Sequence, residues 1–207
     1  MVRGALCGGL LLLGGCVLVV RENAPPAYLP LVRQIQQAAL RASPPPDIYV
    51  ALERFARPLS DFSINLRRSE VSGIPPGDAD MELLLRLFAL TLEEVPEGEQ
   101  VGTSLAAAEM QQAAVAMRGP GLPGSPPRRE AFVHGLSVGV ETLLALAHGP
   151  YDGATNDLTD RTAELESSYE AAMARPQPMP YEVGLGVLRR SLLVLKAIEE
   201  HVSAPAP

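Results

Sequence analysis

The sequence predicts an all-α protein, an antiparallel bundle of about seven helices, and three observations carry that prediction. Apolar residues recur at three- and four-residue spacing over long stretches, with no convincing run of alternating apolar and polar residues. Aromatics are 4% of the chain and Trp is absent, so a core must be built from Leu, Val and Ala. Ala and Leu are strong helix formers. Pro-rich stretches, several with Gly, punctuate the chain at 43–46, 73–77, 96–98, 119–127, 149–150 and 176–180. Proline lacks the N–H that continues a helix and glycine commonly ends one, so each stretch is a boundary.

The first segment, 27–42, places Tyr28, Leu31, Ile35, Ala38 and Ala42 on one face. The second, from 47 to about 69, carries Ile48, Leu52, Phe55, Leu59, Phe62 and Leu66 at unbroken three-four spacing. Pro58 falls inside it, which predicts a kink near 55–57 or two shorter helices. In the third, Asp78 or Asp80 caps a stripe of Met81, Leu84, Leu85, Phe88, Leu92 and Val95. Leu83, Leu87 and Leu90 widen that stripe and make the helix central. The fourth, 103–117, is Ala-rich and thin, so neighbours can come close.

Ser125 and Pro126 cap and open the fifth, 128–148, whose inner face is Phe132, Leu136, Gly139, Val140, Leu143 and Ala147. The sixth, 156–174, has a narrow stripe of Leu158, Leu165, Tyr169 and Met173. The last, 181–202, repeats Leu185, Leu188, Leu192, Leu195 and Val202, flanked by Val187, Val194 and Ile198; 203–207 is a frayed tail. Linker 119–127 separates a four-helix front from a three-helix back, and one shared core is expected because each half alone is small. An irregular superhelix of helical hairpins is the alternative architecture, although no repeat signature aligns the pairs.

The chain has 207 residues, 47% of them hydrophobic, enough for one domain of ordinary size. Its net charge of −7 is spread without a basic stripe, which excludes nucleic acid as the expected partner. Only Lys196 among the 17 basic residues is lysine, a bias that reads as codon usage before function. Both cysteines, Cys7 and Cys16, precede residue 17, so a body formed from the rest has neither disulfide nor thiolate metal site.

Arg3 is followed by an uncharged run centred on Leu10, Leu11, Leu12 and Leu13, the layout of a secretory signal. The run leads into Leu13-Gly14-Gly15-Cys16, which resembles the lipobox of bacterial lipoproteins. The resemblance implies a signal peptide at 1–15, cleavage before Cys16, a diacylglyceryl group on the Cys16 thiol and acylation of the new amino group. Segment 16–26 is then the acylated cysteine and its tether, and 27–202 the helical domain. Val17, where an Asp would favour inner-membrane retention, implies the outer membrane, with the body facing the periplasm. The alternative is an uncleaved inner-membrane anchor, since 4–20 is uncharged and about 17 residues long, at the short edge of what spans a bilayer.

His134, Glu141 and His148 recur at sevens, but seven helical residues rise about 10.5 Å, too far for adjacent members to share one ion. They read as solvated or capping residues, with His148 suited to a helix C-terminus. Residues 152–157 are oxygen-rich yet miss the calcium-loop register, with Asp157 where Gly is needed and Ala163 where Glu is needed. A turn and helix cap account for them. No nucleophile elbow, nucleotide loop or haem motif is present, and no cofactor is expected. The glycines of Gly135-x-x-x-Gly139 and Gly184-x-Gly186 suit close helix crossings, and Asp157 with Arg161 reads as a surface pair.

The expectation is a non-enzymatic envelope lipoprotein, held to the membrane through lipid on Cys16. Its helical body serves as an adaptor, assembly factor or accessory subunit for a protein partner. The alternative is a bundle that encloses an apolar ligand or cofactor among its Leu-rich helices.

Overall fold

The computed structural model describes residues 47–204. They form six α-helices: α1 Asp47–Val71, α2 Asp78–Glu93, α3 Thr103–Ala116, α4 Pro126–Ala147, α5 Asn156–Met173 and α6 Tyr181–Ser203. A 3-10 turn, Gly98–Val101, precedes α3, and no strand occurs among the described residues. The expected helix at 27–42, the leader and tether before it, and the last three residues lie outside the described part. The protein is all-α, and every described helix matches a sequence segment to within two or three residues at either end.

Local chemistry explains most of the boundaries. At α2 the Gly77 N–H donates to Asp80 Oδ2 at 3.0 Å, and Asp78 and Asp80 set negative charge in the first turn, where the helix dipole favours it. Thr155 Oγ1 accepts the Leu158 N–H at 3.1 Å and starts α5. Ser125 departs from expectation. It holds the N-cap position of α4, but its hydroxyl is buried and accepts no cap bond. The second helical residue is Pro127, which has no N–H, and the Arg128 N–H is taken by the Ser125 carbonyl at 3.1 Å. Of the two alternatives expected at Pro58, a kink or two shorter helices, the division does not occur: α1 runs through Pro58 as one helix.

The helices close into a ring. Each packs on the next, and α1 returns to α6, so first and last described elements share one core. A superhelix of hairpins would hold them apart. Helices α2 and α4 also pack on each other, and α4 on α6, which puts the apolar faces of these three at the centre. There Phe62 stacks on Phe88, with ring centroids 5.6 Å apart, and Phe132 meets Tyr181 edge to face at 5.4 Å. Helix α4 is long and apolar enough to cross a bilayer, and its buried stripe from Phe132 to Ala147 is the core-facing side of this bundle.

Glycine sets the closest approaches. A methyl at Gly139 would lie 2.6 Å from Met110 Cε and 2.7 Å from Phe88 Cε1, and one at Gly184 would strike the Phe132 ring. These positions and Gly135 are helix crossings, whereas Gly186 has only the Arg190 guanidinium near it. Two stripes are narrower than expected. Leu83 and Leu90 are 45% and 42% exposed, because α2 turns them away from its neighbours toward a groove beside α1. On α5 it is Ala172 that is buried, while Met173 is 37% exposed at the helix end.

Candidate functional site

The residue singled out for modification, Cys16, lies outside the described residues. Within them, polar side chains gather at three places.

The first is the junction where α2, α4 and α6 begin. Asp78 accepts from the Tyr181 hydroxyl at 2.7 Å, from Arg128 Nη1 at 2.8 Å and from the Gly124 N–H at 2.9 Å. Arg128 also donates to the carbonyls of Gly119 and Gly121. Burial pulls the Asp78 pKa up, and the bonds from Tyr181, Arg128 and Gly124 outweigh it, holding the carboxyl below its ordinary value. Burial and the Asp78 carboxylate push the Tyr181 phenol up. A shallow pocket of about 260 Å3 opens beside the junction, between Pro76, Pro123 and Pro180. The acid, the base and the phenol are spent on one another. The cluster ties three helix starts together.

The second place is Glu82, nearly buried on α2. Arg118 Nη2 lies 2.6 Å from its Oε1 and Arg86 Nε 2.9 Å, which anchors the start of linker 117–125. The third is Glu199 on α6, 2% exposed, with Oε1 accepting no hydrogen bond. Burial pushes its carboxyl up to about 8, Glu200 adds to the rise and Lys196 opposes it. Buried hydroxyls nearby are satisfied within their own helices: Thr162 donates to the Leu158 carbonyl at 2.7 Å and Ser191 to the Val187 carbonyl at 3.1 Å.

The three residues spaced by sevens on α4 find three different partners. His134 Nε2 lies 3.1 Å from Glu109 Oε1, Glu141 accepts from the Tyr169 hydroxyl at 2.9 Å, and His148 Nε2 lies 3.8 Å from Glu166 Oε2. His148 is the C-cap of α4. His201 meets the ring of Tyr151 edge-on, and the Tyr151 hydroxyl donates to the Pro96 carbonyl, joining link 148–155 to link 94–102. The oxygen-rich stretch after Tyr151 is a turn, with Gly153 at φ 65°, followed by the Thr155 cap. Asp157 pairs with Arg161 across one turn of α5 at 2.6 Å.

A groove lies between α1 and α2. Apolar Val50, Pro58, Leu87 and Leu90 line it together with Glu53, Arg54, Arg57, Asp61 and Glu94, around about 520 Å3. A separate opening of about 380 Å3 lies farther along the same two helices, lined by Asn65, Ile74, Asp80 and Leu83 among others.

Sequence reasoning missed both the Asp78 junction and the groove. Nothing in the local pattern joins Asp78 to Arg128 and Tyr181, which are 50 and 103 residues away. Glu199 did carry a signal, because it occupies a stripe position between Leu195 and Val202. No protein-family model, curated protein or solved structure matches the chain.

Proposed function

We propose that this chain is an envelope lipoprotein, anchored by acyl groups on Cys16, whose helical body acts without catalysis as an adaptor or accessory subunit of a protein complex. The observation that carries the reading is Leu13-Gly14-Gly15-Cys16 at the end of an uncharged run that follows Arg3. Val17 after the cysteine favours the outer membrane, with the body facing the periplasm. The body supports an adaptor role in two ways. Asp78 pairs with Arg128 and Glu82 with Arg118 between helices and links, and the groove between α1 and α2 combines apolar and charged lining of the kind that takes a helix. Tethering raises the local concentration of the body at one surface, so a weak contact there suffices.

The test is Cys16→Ser, with membrane fractionation and the size of the product read together. The reading expects the unprocessed precursor to accumulate and the mature membrane-bound form to disappear. A product of unchanged size that still fractionates with membranes would contradict it.

A further inference from the structure

We infer that the end of the bundle where α2, α4 and α6 begin rests on an anionic lipid surface, with Val71, Ile74 and Leu122 entering its interface. The inference concerns the described body alone and stands whether or not Cys16 is acylated.

The first ground is where the links fall. Asp78 on α2 holds Tyr181 at the start of α6, Arg128 at the start of α4 and the Gly124 N–H just before it. Pro76, Pro123 and Pro180 line one shallow pocket beside it. Links 72–77, 117–125 and 174–180 therefore share one end of the bundle. Links 94–102 and 148–155 share the other, where the Tyr151 hydroxyl donates to the Pro96 carbonyl.

The second ground is how exposed apolar side chains divide between the two ends. Val71, the last residue of α1, is 74% exposed, and on the links beyond it Ile74 is 71% and Leu122 80% exposed. Val115 near the end of α3 and Met173, the last residue of α5, are exposed at the same end. The links at the opposite end carry no exposed large apolar side chain. The other exposed large apolar residues sit on helix flanks, Leu105 on α3 and Val50, Leu83 and Leu90 along the openings between α1 and α2. Leu122 stands in a tip, 119–124, whose other residues are Gly and Pro alone, with Gly121 at φ 138° and Gly124 at φ 69°. Glycine holds such a tip at no steric cost and leaves Leu122 standing out from it. Single apolar residues on separate links offer a shaped partner no groove, whereas a fluid interface takes each of them independently.

Charge divides the same way. The three links at this end hold Arg118 and Arg175 and no acid, and exposed Arg67 and Arg68 lie near the end of α1. The two links at the opposite end hold Glu94, Glu97, Glu99 and Asp152 and neither Arg nor Lys. Among the acids of the adjoining helix turns, Glu70 faces Arg189, Asp78 faces Arg128, and Glu82 faces Arg86 and Arg118, whose side chain stays 64% exposed. Asp80, Glu130, Glu170 and Glu182 lie on the helix turns behind the links. A chain of net charge −7 approaches an anionic surface favourably only when its acidic links point away. Arginine suits that contact, since its stem lies along apolar surface while the guanidinium binds headgroup phosphate.

The chain contains no Trp, so one introduced Trp reports its own surroundings. The experiment reconstitutes the full chain in vesicles of phosphatidylcholine with about one quarter phosphatidylglycerol, whose brominated acyl chains quench Trp on contact. Leu122→Trp and Ile74→Trp are each expected to lose at least half their emission relative to unbrominated vesicles, and Asp152→Trp, at the acidic end, none. Trp is itself drawn to interfaces, so Leu122→Trp is also read with Val71→Glu and Ile74→Glu added, which is expected to restore its emission. Vesicles of phosphatidylcholine alone, or Arg68→Glu with Arg175→Glu, are expected to reduce the quenching at least twofold. The inference is overturned if either Leu122→Trp or Ile74→Trp keeps its full emission, or if Asp152→Trp is quenched as strongly as they are. It is equally overturned if quenching survives the added Glu residues or is the same in neutral and anionic vesicles. The mass of the Cys16 peptide is read separately, so loss of the anchor and loss of this contact are distinct results.

Discussion

Glu199 shows how one residue can set the pH response of a bundle. Its carboxyl is buried on α6 beside Lys196 and Glu200, with Arg161 also facing Lys196 across the α5–α6 contact. The folded state binds a proton there up to about pH 8, while the unfolded chain releases it near 4.5. Stability from this group is thus complete below pH 4.5 and is lost as pH rises through 8. Glu199→Gln keeps the shape without the charge. Urea unfolding should find it about 2–4 kcal/mol more stable than the parent at pH 8 and equal to it at pH 4. Parallel pH profiles for the two proteins would contradict this. Glycine at 184 makes the opposite kind of demand. Gly184→Ala drives a methyl into the Phe132 ring and should cost about 1–3 kcal/mol, while Gly186→Ala, in open surroundings, should cost nothing or add stability.

At the scale of elements, the helix starts differ in what holds them. Thr155→Ala removes an observed cap bond and should cost about 1 kcal/mol by thermal or urea melt. Ser125→Ala removes a hydroxyl that caps nothing and should cost far less. Asp78→Ala strips partners from Arg128, Tyr181 and Gly124 together, at about 2–4 kcal/mol. Its depressed pKa means that this contribution is present above the ordinary carboxylate range and disappears as pH falls through the folded value.

These elements also show what was legible in sequence. The six described helices were, because Leu and Phe spacing and Pro/Gly boundaries are local signals. The Thr155 turn and the crossings at Gly135, Gly139 and Gly184 were legible for the same reason. Ser125 was misread because the cap rule supposes an N–H that Pro127 lacks. Leu83 and Leu90 were misread because a broad stripe does not say which of its edges finds a neighbour. Pro58 left a kink or two helices open in the sequence, and packing of Phe55, Leu59 and Phe62 in the core carries α1 across it as one helix. The Asp78 junction was not legible, since it exists only once three distant helix starts meet.

For the whole molecule, the return of α1 onto α6 gives one core that includes front and back halves, so linker 117–125 joins parts of a single unit. That unit carries a surface groove on one hairpin and paired charges at its helix junctions. In the proposed reading its use depends on the tether, because a weak contact becomes effective when both partners are confined to one membrane surface. Two acyl signals hold a protein at a bilayer far more durably than one. The most direct measurement is mass spectrometry of the N-terminal peptide of the protein extracted from membranes. The account expects a peptide that begins at Cys16 and carries the added mass of a diacylglyceryl group and an amide-linked acyl chain. A peptide that begins upstream of Cys16, or one that begins there with a free thiol, would contradict it.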